Sequence, residues 1–242
     1  MAAELAIDAV LLDIGGVFHL PDPIRIANAC QGAGHPIDIA QVPKAHYAGC
    51  AVFDHPGTEL APPWARWWPA YLGAFARALG IEDPGTIKRV LELLADEFMT
   101  VGLWEHEIEG ARDGLQALAA TGVRLGIVSN NDGEALARLR AIELAQVGAG
   151  PGVAVECIID SGAVGIEKPD PRIFELALIS MQLKPAQCWY VGDMPGIDAV
   201  GADRAGIRPF IVDPYGHQAH GKVGDVQFDT ITSLTELAAR IE

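Results

Sequence analysis

Cysteine is scarce in this sequence, and none of it is paired. Cys30, Cys50, Cys157 and Cys188 stand singly along 242 residues, with neither the C-x-x-C spacing of a zinc site nor the density of a disulfide framework. They read as reduced, buried thiols. Long apolar runs are missing as well: no stretch approaches the roughly 18 uninterrupted apolar residues of a membrane span. The first residues lack a basic n-region, and the apolar stretch after them carries Asp8 and Asp13, so a cytoplasmic protein without a membrane partner is expected. Positive charge is also in short supply. The 17 Lys and Arg against 32 Asp and Glu leave a net charge of -15, which argues against nucleic acid or anionic membrane as a partner because both need a basic footprint. A small phosphorylated substrate stays open, provided that a metal ion, a lysine and helix N-termini make one pocket locally positive.

What is present is a chain 50% hydrophobic, long enough for one domain with an insertion or for two modest domains. From about residue 105 onward, apolar runs alternate with amphipathic segments, the pattern of a parallel α/β sheet. Strands are predicted at 9–13, 123–129, 155–160, 188–193 and 209–213. Their hydrophobicity is continuous rather than alternating, as strands covered on both faces require. Between them lie helices: "EGARDGLQALAATG", stopped at Gly122, "DGEALARLRAI", and "DPRIFELALISMQL", with Asp170 as N-cap and Pro171 in the first turn. A last helix, "SLTELAARIE", follows.

Residues 18 to 104 break this rhythm, with several helical patterns and no convincing strand. Trp64, Trp67, Trp68, Tyr71 and Phe75 recur at helical spacing, with Pro69 expected to bend or interrupt the first turn. Such a stripe reads as core rather than as a ligand cage; an exposed aromatic face here would be a homodimer surface. A second amphipathic helix runs through Ile87, Val90, Leu91, Leu94 and Phe98. A block inserted straight after the first strand sits at the carboxyl edge of the sheet, where open α/β folds bind ligands, and is placed to act as a lid.

The chemistry-bearing residues fall where strands end. Asp13 closes the first strand, Ser129 and Asn130 the second, Lys168 follows "GAVGIE", and Asp193 closes "CWYVG" with Asp198 five residues on. A parallel sheet gathers these ends on one edge. Three carboxylates beside a lysine and a hydroxyl suit a hard divalent cation such as Mg²⁺ together with a phosphate.

The segments "VLLDIGGV", "LGIVSNN", "GIEKPDPRIF" and "YVGDMPGIDAVGADRAGI", in this order, resemble the four motifs of the haloacid dehalogenase-like (HAD) hydrolase superfamily. With the helical insert they account for nearly the whole chain. The resemblance implies a Rossmann-like three-layer α/β core with a parallel sheet, made of residues 1–17 and 105–242, and an α-helical cap domain over residues 18–104. It implies a Mg²⁺-dependent phosphatase in which Asp13 attacks the phosphorus of a small phosphorylated metabolite to form an aspartyl-phosphate. Ser129 and Lys168 would hold the transferring group, with Asn130 beside them in the substrate site and Lys168 steadying Asp13. Asp13, Asp193, Asp198 and the backbone carbonyl of Gly15 would hold the metal.

One position departs from the pattern. Many phosphatases of the family carry a second aspartate two residues after the nucleophile as general acid, and here that residue is Gly15. Proton transfer of this kind is typically worth about 10²- to 10⁴-fold. Three readings follow. The first is a phosphatase whose leaving group is good, such as an acyl phosphate or an anomeric sugar phosphate, or whose acid comes from elsewhere, with His19, Asp22, His46 and His55 as candidates. The second is a dehalogenase, which needs no acid but has no use for a metal site at Asp193. The third is a catalytically weak module that binds a phosphorylated ligand or a protein.

Overall fold

The computed structural model describes residues 7–52, 63–98, 101–218 and 220–241, with side chains left aside at 63–68, 96–98 and 101. The strands that bear on the site are β1 (Ala9–Leu12), β2 (His19–Leu20), β3 (His106–Glu107), β4 (Arg124–Ser129), β5 (Cys157–Asp160), β6 (Cys188–Gly192), β7 (Arg208–Val212) and β8 (Asp229–Ile231); two further short pairs, Ala145–Val147 with Val153–Val155 and Lys222–Val223 with Val226–Gln227, lie outside the main sheet. Six of them form one sheet in the order β8-β7-β6-β1-β4-β5, and every neighbouring pair is parallel. The order reverses on either side of β1, so the crevice at its carboxyl end is the topological switch point of the sheet.

β1 shows why the sheet is covered twice. All four of its residues are fully buried, and successive side chains point to opposite faces. Val10 and Leu12 enter a core with Leu115 and Leu118 of α5 (Ala111–Ala120) and with Leu234 and Leu237 near the C-terminal end. Ala9 and Leu11 enter a second core with Phe174, Ala177 and Leu178, which lie on the helix Pro171–Met181. That helix starts as the sequence predicts, with the Asp170 carboxylate accepting from the Arg172 N–H. The three-layer α/β reading therefore holds.

Strand ends fall within two residues of the predicted ones, and β8 is an addition. Its segment "DTI" has no continuous apolar run and is only half-buried at two of three positions, because an edge strand needs less burial than a central one.

The helices α1 (Pro23–Gly32), α2 (Val42–Cys50), α3 (Pro63–Ala78) and α4 (Pro84–Phe98) pack around a cluster of their own that includes Ile26, Cys30, Val42, Phe75 and Leu94. Tyr71 and Phe75 are core, as expected; Trp64, Trp67, Trp68 and Phe98 have side chains outside the described set. α3 continues across Pro69, so of the expected bend or interruption the interruption does not occur: proline forfeits one backbone hydrogen bond, which the flanking turns tolerate here. Residues 18 to 104 also hold a strand after all, since β2 pairs antiparallel with β3. The Ile108 N–H donates to the Phe18 carbonyl and the Asp22 N–H to the Leu103 carbonyl, both at 2.8 Å. These bonds tie the chain entering the helical block to the chain leaving it. Among the described residues, no helix is long and apolar enough to cross a membrane.

Candidate active site

Asp13 is the first residue beyond β1, and the ladder places it. Its N–H donates to the Val191 carbonyl at 2.8 Å, while its Oδ1 accepts from the Ile14 N–H at 2.8 Å. The other oxygen, Oδ2, lies 2.7 Å from Lys168 Nζ. Lys168 is 1% exposed and divides its ammonium between Asp13, Asp198 Oδ1 at 2.7 Å and the Tyr190 hydroxyl at 2.8 Å. Asn130 fixes the loop that carries this lysine: its Oδ1 accepts from the Lys168 N–H at 2.8 Å and its Nδ2 donates to the Lys168 carbonyl at 3.1 Å. The Asn130 carboxamide, expected at the substrate, is thus committed to placing Lys168. Ser129 is buried at the end of β4, the strand beside β1.

Asp193 follows β6 directly, and Asp198 opens the helix Asp198–Arg204. Asp198 is engaged at both oxygens. Oδ2 accepts from the N–H groups of Asp193 at 3.1 Å and Met194 at 2.9 Å, and Oδ1 from Lys168 and from the Tyr190 hydroxyl at 2.8 Å. Gly16 makes room for Asp193. It has φ +63°, and a Cβ there would lie 2.2 Å from Asp193 Cγ, so only glycine meets both the left-handed backbone and the close approach.

The charges do not balance within this group. Asp13, Asp193 and Asp198 face one buried ammonium. Burial is the main force lifting the Asp13 carboxyl to about 7; Lys168 opposes it, while Asp198 and Asp193 add to it. Burial alone would lower Lys168, but Asp13 and Asp198 outweigh burial and raise it, so the lysine stays charged. Tyr190 is held well above its ordinary value by burial and then by Asp13 and Asp198, so it acts here as a neutral hydroxyl.

The helical block reaches into the same cluster through α2. His46 Nε2 lies 2.8 Å from Asp193 Oδ2 and its Nδ1 2.9 Å from the Tyr71 hydroxyl. Cys50 donates to Asp193 Oδ2 at 3.1 Å, and the Tyr47 hydroxyl donates to the Gly16 carbonyl at 2.8 Å. Of the four candidate acids, the structure brings His46 to the carboxylates. His19 is buried in β2 opposite Glu107, Asp22 caps α1, and His55 lies outside the described residues. Tyr190, Tyr47 and Cys50 are additions to the predicted site. Cys50 carried a signal in the sequence, because His46 and Cys50 are four residues apart and share one face of a helix.

The model of the haloacid dehalogenase-like hydrolase family matches residues 7–206. The chain belongs to this family. It is therefore a HAD-like hydrolase, and its relatives fit that assignment. Haloacid dehalogenase-like hydrolase domain-containing protein 3 of Bos taurus is 26% identical over 219 residues, covering 88% of this chain and 84% of that protein. The phosphoserine phosphatase of Thermus thermophilus is 32% identical over 163 residues, 67% of this chain and 61% of that protein. Among solved structures, a HAD phosphatase from Thermococcus onnurineus matches with a TM-score of 0.55 at 18% identity, over 97% of this chain and 98% of that one. Haloacid dehalogenases share the fold too, so the fold by itself does not choose the reaction.

The family implies a Mg²⁺ ion, and the residues of this HAD-like hydrolase fit one. Asp13, Asp193 and Asp198 offer carboxylate oxygens that all lie within 4.8 Å of one another. These are hard donors of the kind Mg²⁺ takes, and their excess of buried negative charge is what a divalent cation would offset.

Proposed function

We propose that this HAD-like hydrolase is a Mg²⁺-dependent phosphatase acting on a small phosphorylated metabolite, through an aspartyl-phosphate on Asp13. The observation that carries the reading is the buried group of three carboxylates around Lys168 at the carboxyl end of β1. A haloacid dehalogenase attacks carbon and expels halide, with no need for that excess of carboxylate; a phosphatase has to bring an anionic nucleophile up to an anionic phosphate. When bound, Mg²⁺ would neutralise charge on the transferring phosphoryl group.

Asp13 and Asp193, with the Gly15 carbonyl, would hold the ion; Asp198, expected as a further ligand and near enough to be one, has both oxygens engaged and would act chiefly from behind by orienting Lys168 and the Asp193–Met194 backbone. Asp13 Oδ2 is the attacking atom. Lys168 keeps that oxygen aimed and, with the Ser129 hydroxyl, takes the phosphoryl oxygens; Asn130 holds Lys168 in place. Residues 18–104 serve as the cap over a core of residues 1–17 and 105–242. Because residue 15 has no side chain to give a proton, the reading favours leaving groups that depart as anions, such as acyl phosphates and anomeric sugar phosphates. The phosphatase relative in Thermus thermophilus supports the reaction class, not the substrate.

A panel of acyl phosphates, sugar phosphates and alkyl phosphate esters tests this reading, with EDTA and Asp13→Asn as controls. Phosphate release that needs Mg²⁺, disappears in Asp13→Asn and is fastest with the best leaving groups is the expected result. A panel in which no substrate exceeds the variant, or halide release without metal, overturns it.

A further inference from the structure

The contacts of α2 with Asp193 form a second cluster, which shares Asp193 with the carboxylate group but adds His46 and Cys50, two residues that the phosphatase reading does not use. His46 Nε2, Cys50 Sγ and one Asp193 carboxylate oxygen lie within 4.8 Å of one another. All three residues are at most 3% exposed. Their separations are 3.6 Å between sulfur and nitrogen, 3.1 Å between sulfur and oxygen, and 2.8 Å between nitrogen and oxygen. Around a tetrahedral Zn²⁺ with ordinary bond lengths, the same atoms would stand about 3.5, 3.5 and 3.3 Å apart. The sulfur–nitrogen edge already matches. Only the Asp193 oxygen has to retreat, by roughly half an ångström, to admit an ion among ligands at these distances.

The cluster stands at the border of the helical block's core, to which Cys50 and Tyr71 belong. His46 and Cys50 are one helical turn apart and point the same way. Gly49 lets α3 close on them, since a Cβ there would meet the Tyr71 ring at 2.7 Å, and the approach brings the Tyr71 hydroxyl to His46 Nδ1 at 2.9 Å. That hydroxyl can accept an Nδ1–H while Nε2 turns its lone pair to an ion, the usual outer support of a metal-bound imidazole. One thiol, one imidazole and one carboxylate make a mixed, partly soft donor set. It suits Zn²⁺ or Co²⁺, whereas Mg²⁺ takes oxygen ligands and leaves thiolates aside.

We propose that His46, Cys50 and Asp193 form a binding site for a thiophilic divalent ion of the Zn²⁺ class, tying α2 to the sheet edge. On binding, the Cys50 thiol gives its proton to solvent and its sulfur bonds to the ion; no electron is transferred. The site adjoins the proposed Mg²⁺ site through Asp193, but its thiolate signature is read without turnover, so its failure and that of the phosphatase reading are distinguishable.

Co²⁺ titrated into the metal-free chain should fill this site stoichiometrically, whether or not further Co²⁺ binds at the carboxylates. It should give a sulfur-to-cobalt charge-transfer absorption that Zn²⁺ displaces stoichiometrically and a large excess of Mg²⁺ does not. Cys50→Ser should abolish that absorption, and His46→Gln, which leaves the thiol in place, should weaken Co²⁺ binding by about tenfold or more. Circular dichroism establishes that each variant is folded, and the two variants perturb α2 at different positions. Absence of the absorption in the unmodified chain overturns the proposal. So does an unchanged absorption and affinity in both variants, or loss of the absorption to an equal concentration of Mg²⁺.

Discussion

Adjacent glycines offer a sharp test of the site, because the structure gives them opposite tolerances. At Gly16 a Cβ would lie 2.2 Å from both Cγ and Oδ2 of Asp193 and 2.5 Å from its Cβ. Ordinary contact for such atoms is about 3.4 Å or more, so Gly16→Ala has to drive Asp193 back by more than about 1 Å or move the turn beneath it. Neither is easy, since Asp193 is held by His46 and Cys50 on one side and its own N–H by Asp198 on the other. The φ of +63° at Gly16 adds about 1–2 kcal/mol of backbone strain for any L-residue with a side chain. A displacement of that size at a reacting centre costs on the order of 10²-fold in rate. At Gly15 a Cβ meets only Trp104 Cδ1 at 3.6 Å and Nε1 at 3.7 Å, which is ordinary contact, and Gly15→Ala should fold and bind as the unmodified chain does. Calorimetric titration with Mg²⁺, urea unfolding and turnover of a good phosphate substrate measure the contrast. A Gly16→Ala protein that matches Gly15→Ala in all three would refute the placement of Asp193 on this turn.

Two further outcomes follow from the charges and from Tyr190. With the Asp13 carboxyl lifted from 3.8 to about 7, the folded chain holds a proton that the unfolded chain releases at lower pH. This contribution favours the metal-free fold on the acid side and is lost as pH rises from about 4 to about 7. Mg²⁺ binds the ionised carboxylate, so its apparent affinity should rise roughly tenfold between pH 6 and pH 8, following the ionised fraction; calorimetric titrations that give a flat profile would contradict it. Tyr190→Phe removes a fully buried hydroxyl that serves Lys168, Asp198 and the Val128 carbonyl. It should lower stability by about 1–3 kcal/mol, read as a lower urea midpoint, and should reduce kcat more than it alters KM, because it leaves Lys168 less firmly aimed.

The parts of the site that the sequence makes legible are those that strand ends deliver. Asp13, Ser129 and Asp193 converge because each closes or directly follows a parallel strand, and the sheet turns sequence position into spatial position; Lys168 joins them from a loop beyond the short helix Ser161–Val164, held there by Asn130. Tyr190 escapes that logic. It lies inside "CWYVG", a run whose pattern specifies only burial, and its hydroxyl matters only because β6 sets it beside the Lys168 loop. Asn130 is legible in place but not in role, since nothing local indicates that the partner of its carboxamide is 38 residues away. The contributions of α2 are harder still. Periodicity gives the face that His46 and Cys50 share, but what that face meets is fixed by the packing of α2 against α3 and the sheet edge, which no local pattern encodes.

That packing changes what Gly15 means. The direction in which a side chain at residue 15 would leave the backbone is lined by the Trp104 indole. An indole N–H does not give up its proton in water, so the ring that lines this direction is no substitute for the acid that many family phosphatases carry there. Beside it, His46 of α2 meets the Trp104 ring edge-on, and α2 sets three hydrogen bonds, two to Asp193 and one to the Gly16 carbonyl. Any movement of α2 away from the sheet breaks all three, and they bear on the carboxylate and the turn that would hold the metal. On the proposed reading, in which residues 18–104 are the cap and Asp193 holds Mg²⁺, an α2 that lifted with the cap to admit substrate would take these hydrogen bonds away from the ion's ligand and its turn. Closing would restore them, so that reading couples metal affinity to cap position.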